Sequence, residues 1–369
     1  MASGYRYAVV NDVQAVIKSV RDQVRVELAN FLSEQRTYLE SIAPELKSVS
    51  DAMDEYLLEG GKRLRPLFAY AGFISTSEST RIADIRAMAS LELLQACALI
   101  HDDLMDGSDS RRGMPSIHRR FEASHITEKM IGDASRFGES AAVLLGDLAL
   151  VWADHALHES GISTPSLMAA QKIYNEMRIE LMAGQFLDVR EAGEPLPSLA
   201  RSLKIARFKS GKYTIERPLH FGAVIAQPQL IENTEFLTQL SKIGIPLGEA
   251  FQMRDDLLGI FGDPQVTGKP AGDDLREGKR TALIALAVEG TTDAGRELLQ
   301  TKLGNPDLSS NDVDALRAVI QDSGAVTEVE TLIAELTSQT QSAIASDVIA
   351  RPAQELLAAL VESAVSRKS

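Results

Sequence analysis

The chain has 369 residues, of which 44% are hydrophobic and 24% are charged, so it has the composition of a globular protein with a large core. Its formal net charge of −14 excludes non-specific binding to nucleic acid or to an anionic membrane, so a polyanionic substrate requires a local basic cluster or a metal ion. The only cysteine, Cys97, excludes an intrachain disulfide and is typical of a protein of the reducing cytoplasm.

No segment predicts stable insertion in a membrane. The N-terminal residues lack a basic start followed by a long apolar core, so we expect no signal peptide. The most apolar run, residues 140–157, is interrupted by Asp147 and Asp154 and is too short and too charged to span a bilayer. We therefore expect a cytoplasmic protein.

Apolar residues recur every three or four positions along most of the chain, whereas the alternation typical of strands is almost absent. This spacing predicts helices over residues 11–39, 85–106, 166–189 and 334–365. Breaks rich in glycine, proline and serine fall near residues 160–166, 192–198, 262–272 and 304–310. None of them resembles a domain linker, so the sequence predicts one all-α domain over residues 1–369.

The first stretch that carries chemistry, HDDLMDGSDSRRG at residues 101–113, ends an apolar helix. Asp102 and Asp106 share one helix face with Gln95, and their like charges destabilise the helix unless a cation binds. Paired carboxylates suit Mg²⁺, which takes oxygen ligands and shares them with substrate phosphates. Arg111 and Arg112 follow, and arginine suits bidentate contact with phosphate. The stretch therefore suits a metal–diphosphate complex.

The same residues have other interpretations. An isolated acidic run of this kind is more often a solvated helix end with local ion pairs. A calcium loop is disfavoured, because Leu104 and Gly113 stand where such a loop needs acidic residues.

The stretch EGGKRLRP at residues 59–66 places Lys62, Arg63 and Arg65 after two glycines, an arrangement that suits an anion cradle. It is not a P-loop, because Arg63 follows Lys62 where that motif requires Ser or Thr. A basic helix start with Pro66 in its first turn explains this stretch alone equally well.

A second pair of aspartates, Asp255 and Asp256, ends another apolar helix one turn after Gln252. A loop rich in glycine and proline then brings Lys269, Asp273, Asp274, Lys279 and Arg280. The two pairs begin 153 residues apart (255 − 102), so only the fold can unite them. A charged surface loop is the alternative, and it is weakened because an apolar helix, paired aspartates and cations occur twice in that order.

A fourth stretch, residues 207–219, has Lys209 and Lys212 around Ser210 and indicates by itself only a helix surface. Together, however, the four stretches resemble the trans-type isoprenyl diphosphate synthases, or polyprenyl synthetases, and most closely their short-chain actinobacterial members. GGKRLRP, DDLMDGSDSRRG, FKSG and residues 251–281 occur in the family's order and at its spacings, over roughly residues 35–300. The resemblance implies a helical bundle around a deep central cavity, and a homodimer.

The resemblance also implies roles for single residues. The ligands of three Mg²⁺ ions, or alternatively of Mn²⁺, would be Asp102, Asp106 and Asp255. Isopentenyl diphosphate would be bound by Lys62, Arg65, Gln95 and Arg112. The allylic diphosphate would be surrounded by Arg111, Lys209, Ser210, Gln252, Lys269 and Lys279. The groups closest to the chemistry would be the three aspartates with Arg111 and Lys209.

The implied reaction is ionisation of dimethylallyl, geranyl or farnesyl diphosphate, after which the double bond of isopentenyl diphosphate attacks the allylic cation. The released diphosphate removes the proton, so no protein nucleophile is required. We interpret His101 as structural, because helical geometry turns it about 100° away from Asp102. The chain departs from the family pattern at Gly259, where many members carry a third aspartate, and at Ser210, which keeps the hydroxyl of the commoner threonine.

Product length depends on the cavity floor below Asp102. Cys97 and Ala98 are small where bulky aromatic residues stop growth at fifteen carbons in the family, so Leu94 and neighbouring helices would set the limit. The predicted product is geranylgeranyl diphosphate, with farnesyl diphosphate or a longer polyprenyl diphosphate as alternatives. Simple helix packing also explains the small residues Cys97 and Ala98.

Two further alternatives belong to other classes of protein. A class I terpene cyclase also ionises allylic diphosphates, but it does not need GGKRLRP, which would serve a second diphosphate. An inactive regulatory subunit with the same fold predicts lost charged residues, whereas Asp102, Asp106, Arg111 and Arg112 are all present.

Overall fold

A computed structural model describes residues 13–76, 81–194, 196–262 and 272–365. The α-helices are α1 Val13–Ile42, α2 Lys47–Leu58, α3 Leu64–Ile74, α4 Ile82–Met105, α5 Ile117–Thr127, α6 Ala134–His158, α7 Thr164–Ala192, α8 Leu199–Ile205, α9 Arg217–Ala226, α10 Thr234–Phe261, α11 Asp273–Arg276, α12 Ala282–Gly290, α13 Asp293–Lys302, α14 Ser310–Asp322, α15 Ala325–Ile344 and α16 Arg351–Val365. A π-helical segment, Ala206–Glu216, joins α8 to α9, and short 3₁₀ turns occupy Pro44–Leu46 and Pro228–Glu232.

Several helices begin at a residue whose side chain satisfies a free backbone N–H group. Ser163 caps α7 by accepting a hydrogen bond from the backbone N–H of Ser166, and Pro165 occupies the first turn. Ser309 and Asp312 cap α14 reciprocally. The predicted all-α fold is confirmed.

The helical spacing buries one stripe of each helix. In α1 this stripe includes Val20, Val24 and Leu28, which are almost fully enclosed. The helix α4 packs against α1, α3 and α6, whereas α10 packs against the π-helical segment and α15. Buried residues form two apolar clusters, and α10 contributes to both. The organisation as a single domain over residues 1–369 stays a prediction.

Local structure differs from the sequence expectations in two places. Residues 334–365 are not one helix: α15 ends at Ile344 and α16 begins at Arg351, with Pro352 in its first turn. Residues 110–115 form a small antiparallel hairpin, in which Ser110–Arg111 pairs with Met114–Pro115. This hairpin turns the chain directly after the first acidic stretch.

The helix α6 contains the most apolar run of the sequence. The expectation that this run is too short and too charged to span a bilayer is wrong by length and composition, because the helix continues over 25 residues and its most apolar window has a mean hydropathy of 1.3. Half of that window is buried inside the fold, however, as in the core helices of soluble proteins.

Candidate active site

The fold brings the two acidic stretches together. Lys279 Nζ lies 3.7 Å from Asp106 Oδ2, and Ser108 Oγ donates a hydrogen bond of 2.7 Å to Glu277 Oε1. The C-terminal end of α4 and the segment after α11 therefore face each other. The prediction that these distant stretches share one site is consistent with these contacts.

Asp102 pairs with groups from three other parts of the chain. Its Oδ1 accepts hydrogen bonds from Lys209 Nζ at 3.0 Å and from Gln185 Nε2 at 2.9 Å. Arg111 Nη2 lies 3.5 Å from its Oδ2. Burial opposes ionisation, but the charges of Lys209, Lys279 and Arg111 outweigh it and hold the pKa of Asp102 at about 2. Asp102 is therefore fully ionised near neutral pH.

Asp106 lies one turn further along α4 and has weaker compensation. Its Oδ2 is buried and accepts no hydrogen bond from a described residue. Burial and the neighbouring charge of Asp102 raise the pKa of Asp106 to about 6, although Lys279 and Lys209 act in the opposite direction. A further cation beside this carboxylate would relieve both effects.

Lys209 comes from the π-helical segment and reaches across to α4 and α7. Besides Asp102 it contacts Asp188 Oδ2 at 2.6 Å. Burial opposes its charge, but Asp102 and Asp188 outweigh that effect and raise its pKa. The segment approaches α7 at Gly184, where a Cβ atom would lie 2.5 Å from the backbone nitrogen of Lys209. The glycine at position 184 therefore allows the π-helical segment to pack close to α7, which places Lys209 beside Asp102 and Asp188.

Arg111 is positioned by a residue that the sequence analysis gave no role. Its Nε donates a hydrogen bond of 2.7 Å to Asp103 Oδ1, and its Nη2 binds the same oxygen. The Asp103 side chain is almost completely buried, unlike that of Asp102. Adjacent aspartates therefore act differently: Asp102 faces the lysines and Asp103 orients the arginine.

The arginines of the basic stretch after α2 also have different surroundings from one another. Arg63 is buried in an ion pair with Glu92 at 2.7 Å and also donates to the Leu57 carbonyl oxygen, so it holds the loop. Arg65 donates from Nη2 to Thr214 Oγ1 at 2.8 Å, and its guanidinium carbon lies 4.1 Å from the centre of the Tyr213 ring.

Arg112 lies beside this loop. Its Nη1 donates to the Glu59 carbonyl oxygen at 3.4 Å, and a Cβ atom at Gly61 would lie 3.4 Å from its Nη2. Lys62 is exposed in the same loop, whereas Gln95 Oε1 is buried and has no hydrogen-bond partner in the part of the chain that the structure describes. The structure thus brings Arg112 to the Gly60–Lys62 loop, as the resemblance requires.

The second acidic stretch ends α10. Asp255 is partly buried, and Gln252 Nε2 donates a hydrogen bond of 2.7 Å to Asp256 Oδ1. Burial raises the pKa of Asp256 to about 8, although the bond from Gln252 lowers it. Ser210 is partly buried, and the predicted site residue Lys269 lies outside the described residues. The structure leaves the roles predicted for Asp255, Gln252 and Ser210 untested.

Gly259 has a physical explanation in the packing of α10 against α11. A Cβ atom at Gly259 would lie 1.7 Å from Asp274 Oδ2. Asp274 in turn lies 3.3 Å from Lys279 Nζ through its Oδ1. Its carboxylate therefore occupies the space that any side chain at position 259 would need.

Three α4 residues were predicted to form the cavity floor. Leu94 and Cys97 are fully enclosed, whereas Ala98 keeps partial exposure on the same face as Gln95 and Asp102. The role of all three in product length stays a prediction. His101 packs towards α6, where its Nε2 lies 3.2 Å from the Val143 carbonyl oxygen, in agreement with a structural role.

The donor atoms of the site fit Mg²⁺. Carboxylate oxygens of Asp102, Asp106 and Asp188 surround Lys209 or face Lys279, and no described residue donates a hydrogen bond to the buried Asp106 Oδ2. Among the described residues, no three acidic, histidine or cysteine side chains gather into a preformed metal cluster. The ammonium groups of Lys209 and Lys279 lie beside these carboxylates. Sequence reasoning overlooked Asp188 and Gln185, although their spacing of three on an apolar helix places both near one face.

Comparison with known proteins agrees with this geometry. A family model described as polyprenyl synthetase matches residues 46–320. The solved geranylgeranyl pyrophosphate synthase of Corynebacterium glutamicum, complexed with isoprenyl diphosphate and magnesium, is 40% identical with a TM-score of 0.87, covering 97% of this chain and 100% of that one.

Curated relatives include proteins of different product length. The geranylfarnesyl diphosphate synthase of Aeropyrum pernix is 34% identical over 295 residues, which are 79% of this chain and 84% of the relative. The geranylgeranyl diphosphate synthase of Mycobacterium tuberculosis is 30% identical over 273 residues, which are 72% of this chain and 69% of the relative.

An all-α bundle in which lysine and arginine side chains converge on the acidic end of α4 is suited to an enzyme that handles diphosphates. The chain belongs to the polyprenyl synthetase family. The prediction of an isoprenyl diphosphate synthase, a transferase, is confirmed.

Proposed function

We propose that the protein condenses isopentenyl diphosphate with allylic diphosphates and that its main product is geranylgeranyl diphosphate. The observation that carries the proposal is the separation of two cationic regions. Lys209 and Lys279 stand among carboxylates at the end of α4, on α7 and on α11, whereas Arg112 lies beside the loop of Lys62. Two cationic regions suit the binding of two diphosphates. Only the region of Lys209 and Lys279 contains enough carboxylates to bind a metal ion.

In this proposal Asp102, Asp106 and Asp255 hold Mg²⁺, with Mn²⁺ as a substitute. When bound, Mg²⁺ supplies positive charge next to the departing diphosphate. Lys209, Lys279 and Arg111 orient that diphosphate and stabilise its growing negative charge. Asp103 keeps Arg111 in place for this task through the contact between Nε and Oδ1.

The second diphosphate is bound by Lys62, Arg65 and Arg112, with Gln95 supplying an amide. This arrangement holds the double bond of isopentenyl diphosphate beside the allylic carbon, which replaces a collision by a positioned encounter. The surrounding apolar helix faces exclude water from the allylic cation. The departing diphosphate accepts the proton, so no side chain has to act as the base.

The product of twenty carbons is supported by the small residues Cys97 and Ala98 and by relatives named geranylgeranyl diphosphate synthase. A longer product is the second candidate, because a relative of comparable similarity is named geranylfarnesyl diphosphate synthase. Both candidates use the same chemistry and differ only in where the growing chain stops.

A product assay tests the proposal. Purified protein, Mg²⁺ and labelled isopentenyl diphosphate are incubated with dimethylallyl, geranyl or farnesyl diphosphate, and the dephosphorylated products are sized by chromatography. We expect growth to stop at twenty carbons, and no product from Asp102→Asn. Growth well beyond twenty carbons would overturn the proposed product length, and no condensation with any starter would overturn the proposed function.

We further propose that the enzyme is a homodimer working in the cytoplasm. Apolar residues seven positions apart remain exposed on α6, at Leu144 and Val151, and on α7, at Ile179 and Phe186. Such faces are typical of surfaces that a partner covers. Light scattering should give twice the mass of the chain, and the mass of a single chain would contradict the proposal.

A further inference from the structure

The N-terminal helix contacts the loop of the proposed isopentenyl diphosphate site. The helix α1 spans Val13–Ile42 and therefore lies outside the matched family region, residues 46–320. Nevertheless Arg21 Nε donates a hydrogen bond of 3.0 Å to the carbonyl oxygen of Lys62. This contact joins residues that are 41 positions apart in the sequence.

Arg21 is carried on a firmly packed element. Its neighbours Val20 and Val24 are 2% and 0% exposed, so the stripe of α1 beside Arg21 is fixed in the core. One turn beyond Val24, Glu27 pairs with Arg86 of α4 at 3.0 Å. The position of the guanidinium is therefore determined by the body of the protein, and the Lys62 carbonyl is tied to that body.

The charge of Arg21 is not matched by an acid within the described part of the chain. The structure gives it no carboxylate partner there, and its partial burial lowers its pKa. Arg112, on the other side of the same loop, has its pKa lowered first by burial as well, and it also forms no ion pair with a described residue. Guanidinium groups that are partly desolvated and lack a carboxylate are suited to an anionic ligand.

The loop itself cannot hold its shape through regular structure. Gly60, Gly61 and Arg63 all have positive φ angles, of 73°, 84° and 50°, and for Arg63 this conformation costs free energy. Besides the buried pair of Arg63 with Glu92, the loop is held from both sides, by Arg21 at the Lys62 carbonyl and by Arg112 at the Glu59 carbonyl. Each arginine uses one donor for the backbone and retains others.

We infer that Arg21 is a positioning residue for the diphosphate of isopentenyl diphosphate, because it fixes Lys62 in the Gly60–Lys62 loop. The inference rests on the proposed function and adds to it a residue from outside the matched family region. Removing the guanidinium releases Lys62, weakens the binding of isopentenyl diphosphate and leaves the acidic site around Asp102 unchanged.

The experiment compares Arg21→Ala with Arg25→Ala in the full-length protein. Arg25 lies one turn later on α1, is exposed and forms no hydrogen bond or ion pair with a described residue of the loop, so it is a matched control. Calorimetric titration with isopentenyl diphosphate alone gives Kd, steady-state kinetics give KM for each substrate and kcat, and thermal melting gives Tm.

For Arg21→Ala we expect Kd and KM for isopentenyl diphosphate to rise about ten-fold, the size of one lost charged hydrogen bond. KM for farnesyl diphosphate, kcat and Tm should remain those of the unmodified protein, and Arg25→Ala should match it throughout. In a Lys62→Ala background the Arg21→Ala change should have almost no further effect, because the two residues act as one unit.

The outcomes separate the two proposals. Unchanged binding in Arg21→Ala, or equal weakening of both substrates with a lower Tm, would overturn the role of Arg21 and leave the enzymatic function intact. Failure of the unmodified protein to bind isopentenyl diphosphate would overturn the proposed function, and with it the role of Arg21.

Discussion

At the residue scale, the direction of Arg111 is determined by Asp103. Two guanidinium nitrogens of Arg111 bind a single oxygen of Asp103, whose side chain is 1% exposed. Helical geometry turns consecutive residues about 100° apart, so Asp102 and Asp103 face different surroundings. The buried ion pair thereby fixes an arginine 3.5 Å from Asp102 at the edge of the acidic site.

Replacing Asp103 with asparagine should therefore impair catalysis. The amide keeps the shape but removes the charge that compensates the buried guanidinium, so Arg111 loses its fixed direction. We expect kcat to fall about 100-fold, which is typical of losing a positioned group that stabilises the transition state, while KM for isopentenyl diphosphate changes little. Steady-state kinetics measure both values.

Asp109→Asn is the matched control for this change. Asp109 lies in the same acidic stretch, but it is exposed and pairs with Arg119 at the surface. We expect its kinetics to match those of the unmodified protein. Full activity in Asp103→Asn would show that Arg111 does not depend on Asp103.

The sequence predicted which charged residues lie near one another better than it predicted the partner of each. Asp102, Asp106, Lys209 and Lys279 were predicted from motif order and do lie together. The role of Asp103 could not be predicted, because two adjacent aspartates look alike until the surroundings of each helix face are known.

Arg63, in the basic stretch at residues 59–66, is a second residue whose role could not be predicted from the sequence. It looks like one of three cations beside two glycines, and only its pairing with the buried Glu92 reveals a structural role. Such pairs join residues from different helices, and a single sequence does not show which ones meet.

At the element scale, the packing of α10 against α11 explains a departure from the family pattern. Substituting Gly259→Asp, the residue common elsewhere in the family, should damage this protein. The new Cβ would lie 1.7 Å from Asp274 Oδ2, and a second carboxylate would enter a region that is already acidic. We expect a loss of about 1–3 kcal/mol of unfolding free energy, measured by denaturant titration, together with reduced activity.

The exchanged variant Gly259→Asp/Asp274→Gly controls for this explanation. Removing the side chain of Asp274 makes room for the new aspartate, so we expect this variant to recover part of the lost stability. Gly193→Asp, at the exposed end of α7, should cost little, since its Cβ would meet only the Arg190 carbonyl oxygen at 3.4 Å. If the exchanged variant is less stable than Gly259→Asp, the steric explanation is wrong.

Most helices could be predicted from apolar spacing, yet two local features could not. The break between α15 and α16 was missed, because residues 345–350 continue the apolar spacing of their neighbours. The π-helical segment could not be predicted from the sequence for a different reason. Its wider turn is imposed by packing against Gly184 on α7 and Gly248 on α10, which only the folded structure brings near.

At the scale of the whole molecule, stability in acid depends on a buried histidine. His220 on α9 is 3% exposed, and its Nε2 lies 2.9 Å from the Leu237 carbonyl oxygen. Burial and the charge of Arg217 lower the pKa of His220 to about 3. An unfolded histidine has a pKa near 6.5. Between pH 6.5 and pH 3 this histidine is therefore protonated in the unfolded chain and neutral in the folded chain.

The contribution of His220 is therefore fully present above pH 6.5 and is lost as the pH falls towards 3. The free energy of unfolding should fall by up to about 1.4 kcal/mol for each pH unit in this window. His220→Gln should be less stable at pH 7.5 but should lose less stability on acidification. Urea titrations at a series of pH values measure the two slopes.

His158→Gln provides the comparison, because His158 lies partly exposed at the end of α6. Its slope should equal that of the unmodified protein. Equal slopes for the unmodified protein and His220→Gln would show that His220 does not contribute to the acid sensitivity.

The hydrogen bonds that build the acidic site have a consequence for the order of folding. They join residues 83, 107 and 169 positions apart, because the site takes its groups from α4, α7, the π-helical segment and the chain after α10. Contacts of such long range close large loops and form slowly compared with contacts within a helix. During synthesis, Ser108 is made long before its hydrogen-bond partner Glu277. A nascent chain therefore acquires its complete diphosphate site only after three quarters of its length has been made.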